Sequence, residues 1–84
     1  MNNRQRKILL AIFTDPVNPA IAWRDIEGLF KACGGIIKEG SGSRVWFIMG
    51  KDVATSHRPH PQPDTDKGAV KSVRRFFKTI GIVP

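Results

Sequence analysis

Little in this chain of 84 residues binds metals, forms cross-links or crosses membranes. A single cysteine, Cys33, excludes an internal disulfide, and its position on the apolar stripe of a predicted helix marks it as a packing residue. No run approaches the roughly 18 consecutive apolar residues of a membrane span. The opening Met1-Asn2-Asn3-Arg4 lacks the apolar core of a secretory signal, so a cytoplasmic location is expected, with no membrane partner. Only two histidines occur, as His57-x-x-His60, with no convincing third ligand beside them; neither a metal site nor another cofactor is expected. Repeats and low-complexity tracts are absent. The length suits one domain, residues 1–84, because two separate cores would each be too thin to offset their ordering entropy.

Acidic side chains are also scarce: seven Asp and Glu against fourteen Lys and Arg, a net charge of +7. Residues 1–39 hold six basic and four acidic groups, whereas residues 40–84 hold eight and three. The second half is therefore where a polyanion or an acidic protein would dock. A merely solvated basic surface is the plainer alternative.

Hydrophobic spacing predicts a short helix from Arg4 to Phe13, with Ile8, Leu9, Ile12 and Phe13 on one side, ended by Asp15-Pro16. After a turn over Pro16 to Ala20, a second helix is predicted at about residues 23 to 33. Trp23, Ile26, Phe30 and Cys33 line one face of it, Arg24, Glu27 and Lys31 the other, and Gly34-Gly35 stops it. Three extended segments follow, Ile36 to Glu39, Arg44 to Met49 and Asp52 to Ser56. The two-residue Gly50-Lys51 link suits a tight hairpin. Trp46 and Phe47, being adjacent on a strand, must face opposite sides of the sheet, one into the core and one free to meet a base or a partner. Pro59, Pro61 and Pro63 stiffen the loop from His57 to Asp66. A last helix runs from about Lys67 to Ile80, capped among Asp64, Thr65 and Asp66, with Ala69, Val73, Phe76 and Ile80 as its apolar stripe and Gly81 closing it. The fold class is α+β: a three-stranded antiparallel sheet with helices packed on one face, plus a short extra N-terminal helix.

His57-Arg58-Pro59-His60-Pro61 is the strongest candidate site. Cleaving RNA needs a group near neutrality to take the 2′-hydroxyl proton, a second to protonate the leaving oxygen, and cations for the phosphorane charge. Histidine beside arginine meets these needs. In a polyproline segment residues three apart point the same way, roughly 9 Å from one another. That span is wide for a base and an acid on one phosphate, so one catalytic histidine is expected, His60 ahead of His57. The structural alternative is a pair of histidines that cap turns or pack on the sheet. Lys67, Lys71, Arg74, Arg75 and Lys78 fall on one solvent face of the last helix and can follow a phosphate backbone. Ser43 and Arg44, at a flexible loop before the central strand, can hold a phosphate or make an ordinary turn.

These segments resemble the HicA family of type II toxin–antitoxin systems. The resemblance spans most of the chain: Trp23-Arg24-Asp25-Ile26-Glu27, Gly34-Gly35, Gly40-Ser41-Gly42-Ser43-Arg44-Val45, His57-Arg58-Pro59-His60-Pro61, and Asp66-Lys67-Gly68-Ala69-Val70-Lys71-Ser72-Val73-Arg74-Arg75. It implies a fold similar to double-stranded-RNA-binding domains, ribosome-independent cleavage of mRNA by an endoribonuclease (an mRNA interferase), and neutralisation by a HicB-like antitoxin. That antitoxin should be acidic where it meets Arg44, His60 and the last helix. The free toxin is expected to be a monomer. Where many members have a catalytic Gly-Ser-His entering the second strand, this chain has Gly42-Ser43-Arg44, and an arginine is a poor general base. His60 matches the second family histidine. The resemblance therefore implies proton transfer by His60, helped by His57, with Ser43, Arg44, Arg58, Lys67, Lys71, Arg74 and Arg75 on the RNA. The alternative is a catalytically inactive module of the same fold that binds RNA or antitoxin. An interaction module with no nucleic-acid role is disfavoured by the charge asymmetry.

Overall fold

The computed structural model describes residues 1–60 and 62–84; the expectation that Pro61 stiffens its loop lies outside the described residues. The order of elements is α1 (Asn3–Ile12), α2 (Trp23–Ala32), β1 (Ile36–Glu39), β2 (Arg44–Met49), β3 (Asp52–His57) and α3 (Lys67–Ile80). These bounds match the sequence reading to within a residue. The first helix begins one residue earlier because Asn2 caps it in a reciprocal box, its side chain accepting from the Gln5 N–H while the Gln5 side chain accepts from the Asn2 N–H.

The three strands form one antiparallel sheet in the order β1-β2-β3. Residues Ile36 to Glu39 pair with Ile48 back to Val45, and Arg44 to Met49 pair with His57 back to Asp52. Gly50, at φ 60°, opens the two-residue turn between β2 and β3, a conformation that costs glycine little. The inner face of the sheet presents Val45 and Phe47 to α2 and α3. Phe30 of α2 is the hub, stacking on Phe47 at 4.7 Å between ring centroids and on Phe77 of α3 at 6.0 Å. Gly35 must be glycine for packing reasons, because a Cβ there would strike the Phe30 ring. α1 lies across α2 and α3, contributing Leu9 and Ile12 to the same core.

Two charged side chains and the apolar stripe of α3 depart from their expected faces. Glu27 is buried at 8% exposure on the inner side of α2, although its sequence neighbours suggested the polar side. In α3 the fully engaged stripe is Val70, Val73 and Phe77, with Phe76 and Ile80 only partly buried beside it. Arg74 leaves the solvent face: its Nε donates to the Ile12 carbonyl at 2.7 Å, one terminal nitrogen to Asp15 at 3.0 Å, and the other to the Thr14 carbonyl at 3.1 Å. It thereby ties the last helix to the end of α1. Cys33 packs against the core, half-buried, with its thiol free. No helix among the described residues is long and apolar enough to cross a membrane.

Candidate nucleic-acid interface

The site is assembled at the end of the sheet where β2 begins and β3 finishes. Register places Arg44 directly opposite His57, and the pairing continues one step further, with the Arg58 N–H donating to the Ser43 carbonyl at 2.8 Å. Two segments chosen separately in the sequence, Ser43-Arg44 and His57-Arg58, are thus neighbours. The hydroxyl-bearing Ser43, Arg44 and both histidines are exposed.

Beyond β3 the chain runs as a strap, Arg58 to Asp66, held at both ends. Its far end runs antiparallel to the lead-in of α2: the Trp23 N–H donates to the Pro63 carbonyl at 3.0 Å, and the Thr65 N–H donates to the Ile21 carbonyl at 2.8 Å. Its near end is fixed by Arg58. The guanidinium grips Glu27 with two bonds, Nε to Oε2 at 2.8 Å and NH2 to Oε1 at 3.0 Å, and reaches Glu39 through NH1. Glu27 also accepts the indole N–H of Trp23. A bidentate, charge-assisted pair of this kind fixes orientation as well as position.

The charges respond accordingly. Burial pushes the Glu27 carboxyl upward, but the hydrogen bonds from Arg58 and Trp23, with the Arg58 charge, outweigh it and leave the pKa below the ordinary carboxylate value. The hydrogen bonds to Glu27 and then Glu39 raise Arg58 further above its already high range. Both groups remain ionised at any working pH. The Arg58 charge is turned toward Glu27 and Glu39, and the pair fixes the start of the strap that carries His60.

His57 and His60 line one open groove of roughly 360 Å³ together with Pro59, Gln62, Asp64, Asp66 and Ala69. The groove ends against the start of α3, where the Asp66 side chain accepts from the Ala69 N–H at 2.6 Å and caps the helix. From there Lys67, Lys71, Arg75 and Lys78 continue along one exposed stripe of α3, at steps of four, four and three residues. With Arg74 engaged internally, this ridge is narrower and straighter than the sequence suggested. Among the described residues no three His, Cys, Asp or Glu side chains gather as a metal site would require.

Sequence reasoning missed two carboxylates that anchor the strap. Glu27 and Glu39 hold the strap through Arg58, and nothing in the local pattern marks Glu39. A carboxylate flanked by Trp23 on the same helix face, one turn away, was the one available hint for Glu27.

The model of one protein family, described as the HicA toxin of bacterial toxin-antitoxin, matches residues 23–82. The match takes in α2, the whole sheet, the strap and α3, and leaves α1 outside. No curated protein and no solved structure matches the chain.

Proposed function

The chain belongs to the HicA toxin family of bacterial toxin–antitoxin systems, and from that membership we propose that it is an endoribonuclease that cleaves mRNA without the ribosome. The observation that carries this reading is the register of β2 against β3. It sets Arg44, where the family pattern has a histidine, directly across from His57, whose groove also holds His60. The histidine missing from the start of β2 is replaced, within one strand spacing, by one at the end of β3. Neighbouring antiparallel strands lie about 4.8 Å apart, so the exchange costs little reach.

In this reading the RNA backbone follows the exposed ridge of α3 toward the groove, and Arg44 neutralises the scissile phosphate. One histidine takes the proton from the 2′-hydroxyl as its oxygen attacks phosphorus. The same histidine, His60 ahead of His57, then gives that proton to the departing 5′-oxygen, leaving a 2′,3′-cyclic phosphate on one fragment and a 5′-hydroxyl on the other. Arginine serves the pentavalent intermediate as a permanent cation and takes no part in the proton transfers. Arg58 and Arg74, expected on the RNA, act here through their internal bonds. A HicB-like antitoxin with an acidic surface would inhibit by covering Arg44, the histidine groove and the ridge.

The decisive experiment is cleavage of a generic mRNA by purified wild type, Arg44→Ala, His57→Ala and His60→Ala, free of antitoxin and with EDTA present. Loss of about a hundredfold or more in a histidine variant is expected, the ordinary contribution of a general acid or base. The absence of the family's histidine at position 44 favours one second reading, a binding module without catalysis. RNA bound by wild type in a salt-sensitive manner, without any cleavage, would select it.

A further inference from the structure

The helices cover only one face of the sheet, and the other face is ordered in rows. At one end Ile36, Ile48 and Val53 form an aliphatic row across the three strands, with Ile36 57% and Val53 55% exposed. The next row is Lys38, Trp46 and Thr55. The last is Gly40, Arg44 and His57, where the Gly40 N–H donates to the Arg44 carbonyl at 2.8 Å. No carboxylate stands on this face, since Glu39 and Asp52 fall on the alternate, inner positions of their strands.

Trp46 joins the last two rows. The six-membered end of its indole lies against Gly40, its diagonal neighbour, in space that a Cβ at position 40 would occupy. The ring therefore leans out of its own row, on the β1 side, toward the row that holds Gly40 and Arg44, and it is half-buried there. An aromatic side chain braced on one edge among cations, on a sheet face with no carboxylate, is the arrangement on which unpaired bases stack while their phosphates meet the basic groups. Double-stranded RNA keeps its bases within the helix and offers the ring nothing to stack on.

We propose that the outer sheet face is a stacking subsite for single-stranded RNA, in which the Trp46 indole holds the base next to the phosphate placed between Arg44 and His57. The proposal rests on the ribonuclease reading above. It adds to that reading a requirement for an unpaired nucleotide at the cleavage point, read by an aromatic plane and not by base-edge hydrogen bonds.

The test uses binding, so it does not depend on cleavage. A single-stranded oligoribonucleotide made uncleavable by 2′-O-methylation, and the duplex of the same sequence, are titrated into the full chain while tryptophan emission is followed. Trp23 is buried at 4% exposure, so quenching by a stacked base reports Trp46. Quenching by the single strand, tighter binding of the single strand than of the duplex, and affinity about tenfold weaker in Trp46→Thr are expected, with Trp46→Phe close to wild type. Val53→Thr, on the same face but away from the ring, should bind as wild type does. Saturating RNA that leaves wild-type emission unchanged would overturn the subsite however the variants fold. Equal weakening by Val53→Thr and Trp46→Thr would overturn it as well, pointing to a general apolar contact surface such as a protein partner would use. Binding by wild type that is indifferent to Trp46 removes the subsite and leaves the ribonuclease reading standing; no RNA binding at all removes both.

Discussion

Glu27 is one carboxylate on which three elements depend. It joins α2 to the strap through Arg58, and Arg58 in turn reaches β1 through Glu39. Removing one member of a buried ion pair typically costs 3–5 kcal/mol, but the Arg58 side chain is 36% exposed and keeps Glu39, so Glu27→Ala should cost about 2 kcal/mol. Urea denaturation gives this directly, as a lower midpoint at unchanged slope. Because the folded-state pKa of Glu27 is depressed, its contribution is complete above the unfolded value of about 4.3 and is lost as pH falls through the folded value. Wild type should therefore lose stability below about pH 4 more steeply than Glu27→Gln, when midpoints are compared between pH 7 and pH 2. On the ribonuclease reading, loss of the Glu27–Arg58 anchor loosens the strap that carries His60, so the Glu27 variants should also cleave more slowly at pH 7, where they are still folded. At the other side of the groove, Arg44→His restores the Gly-Ser-His of the family. If the ribonuclease reading holds, that variant is expected to cleave RNA at least as fast as wild type, whereas Arg44→Ala is slower, both followed by loss of full-length transcript.

At the scale of elements, the strap and α3 divide positioning from charge. The described residues of the strap form no helix or strand of their own and are tied at the ends, to the lead-in of α2 and through the Glu27–Arg58 pair. α3 is the opposite case: a regular helix whose inner stripe fills the core while its outer stripe remains cationic. If Lys71 and Arg75 each neutralise a phosphate, replacing both by Gln lowers affinity for single-stranded RNA. It also reduces the slope of log affinity against log salt by about 0.7 for each side chain. Arg74→Gln should act differently, because it breaks bonds to Ile12, Thr14 and Asp15: stability falls and the salt slope is kept. Measuring binding at four or five salt concentrations, beside a melting curve, separates the two roles.

For the whole molecule, the first helix raises a question of folding. The family match begins at Trp23, yet α1 places Leu9 and Ile12 in the common core at 3% and 0% exposure. Each large aliphatic side chain so buried contributes roughly 1.5–3 kcal/mol, and a domain this small has little stability to spare. A chain shortened to begin at Pro16 is thus expected to lose its cooperative thermal transition, as monitored by circular dichroism, because Leu9 and Ile12 would be missing from the core and Arg74 would lose its acceptors. The net charge of +7 then completes the picture at the surface, since a core closed by three helices leaves the basic groups of the strap's neighbours and of α3 outside.

The sequence alone determined the elements and their order, because hydrophobic periodicity, glycine stops and caps act over a few residues and are written locally. The helix limits, the hairpin at Gly50-Lys51 and the division of Trp46 from Phe47 across the sheet follow from that code, and the motifs along the chain pointed to the family. Only the tertiary structure decided which cations are available. Arg58 and Arg74 read as surface charge in sequence, and their acceptors lie 31 and 62 residues away, distances over which no local pattern informs. It also decided that Ser43-Arg44 and His57-Arg58 are neighbours. Cross-strand register is the sum of many pairings and of the turn that sets them, so a chemical neighbour on the next strand has no fixed spacing along the chain.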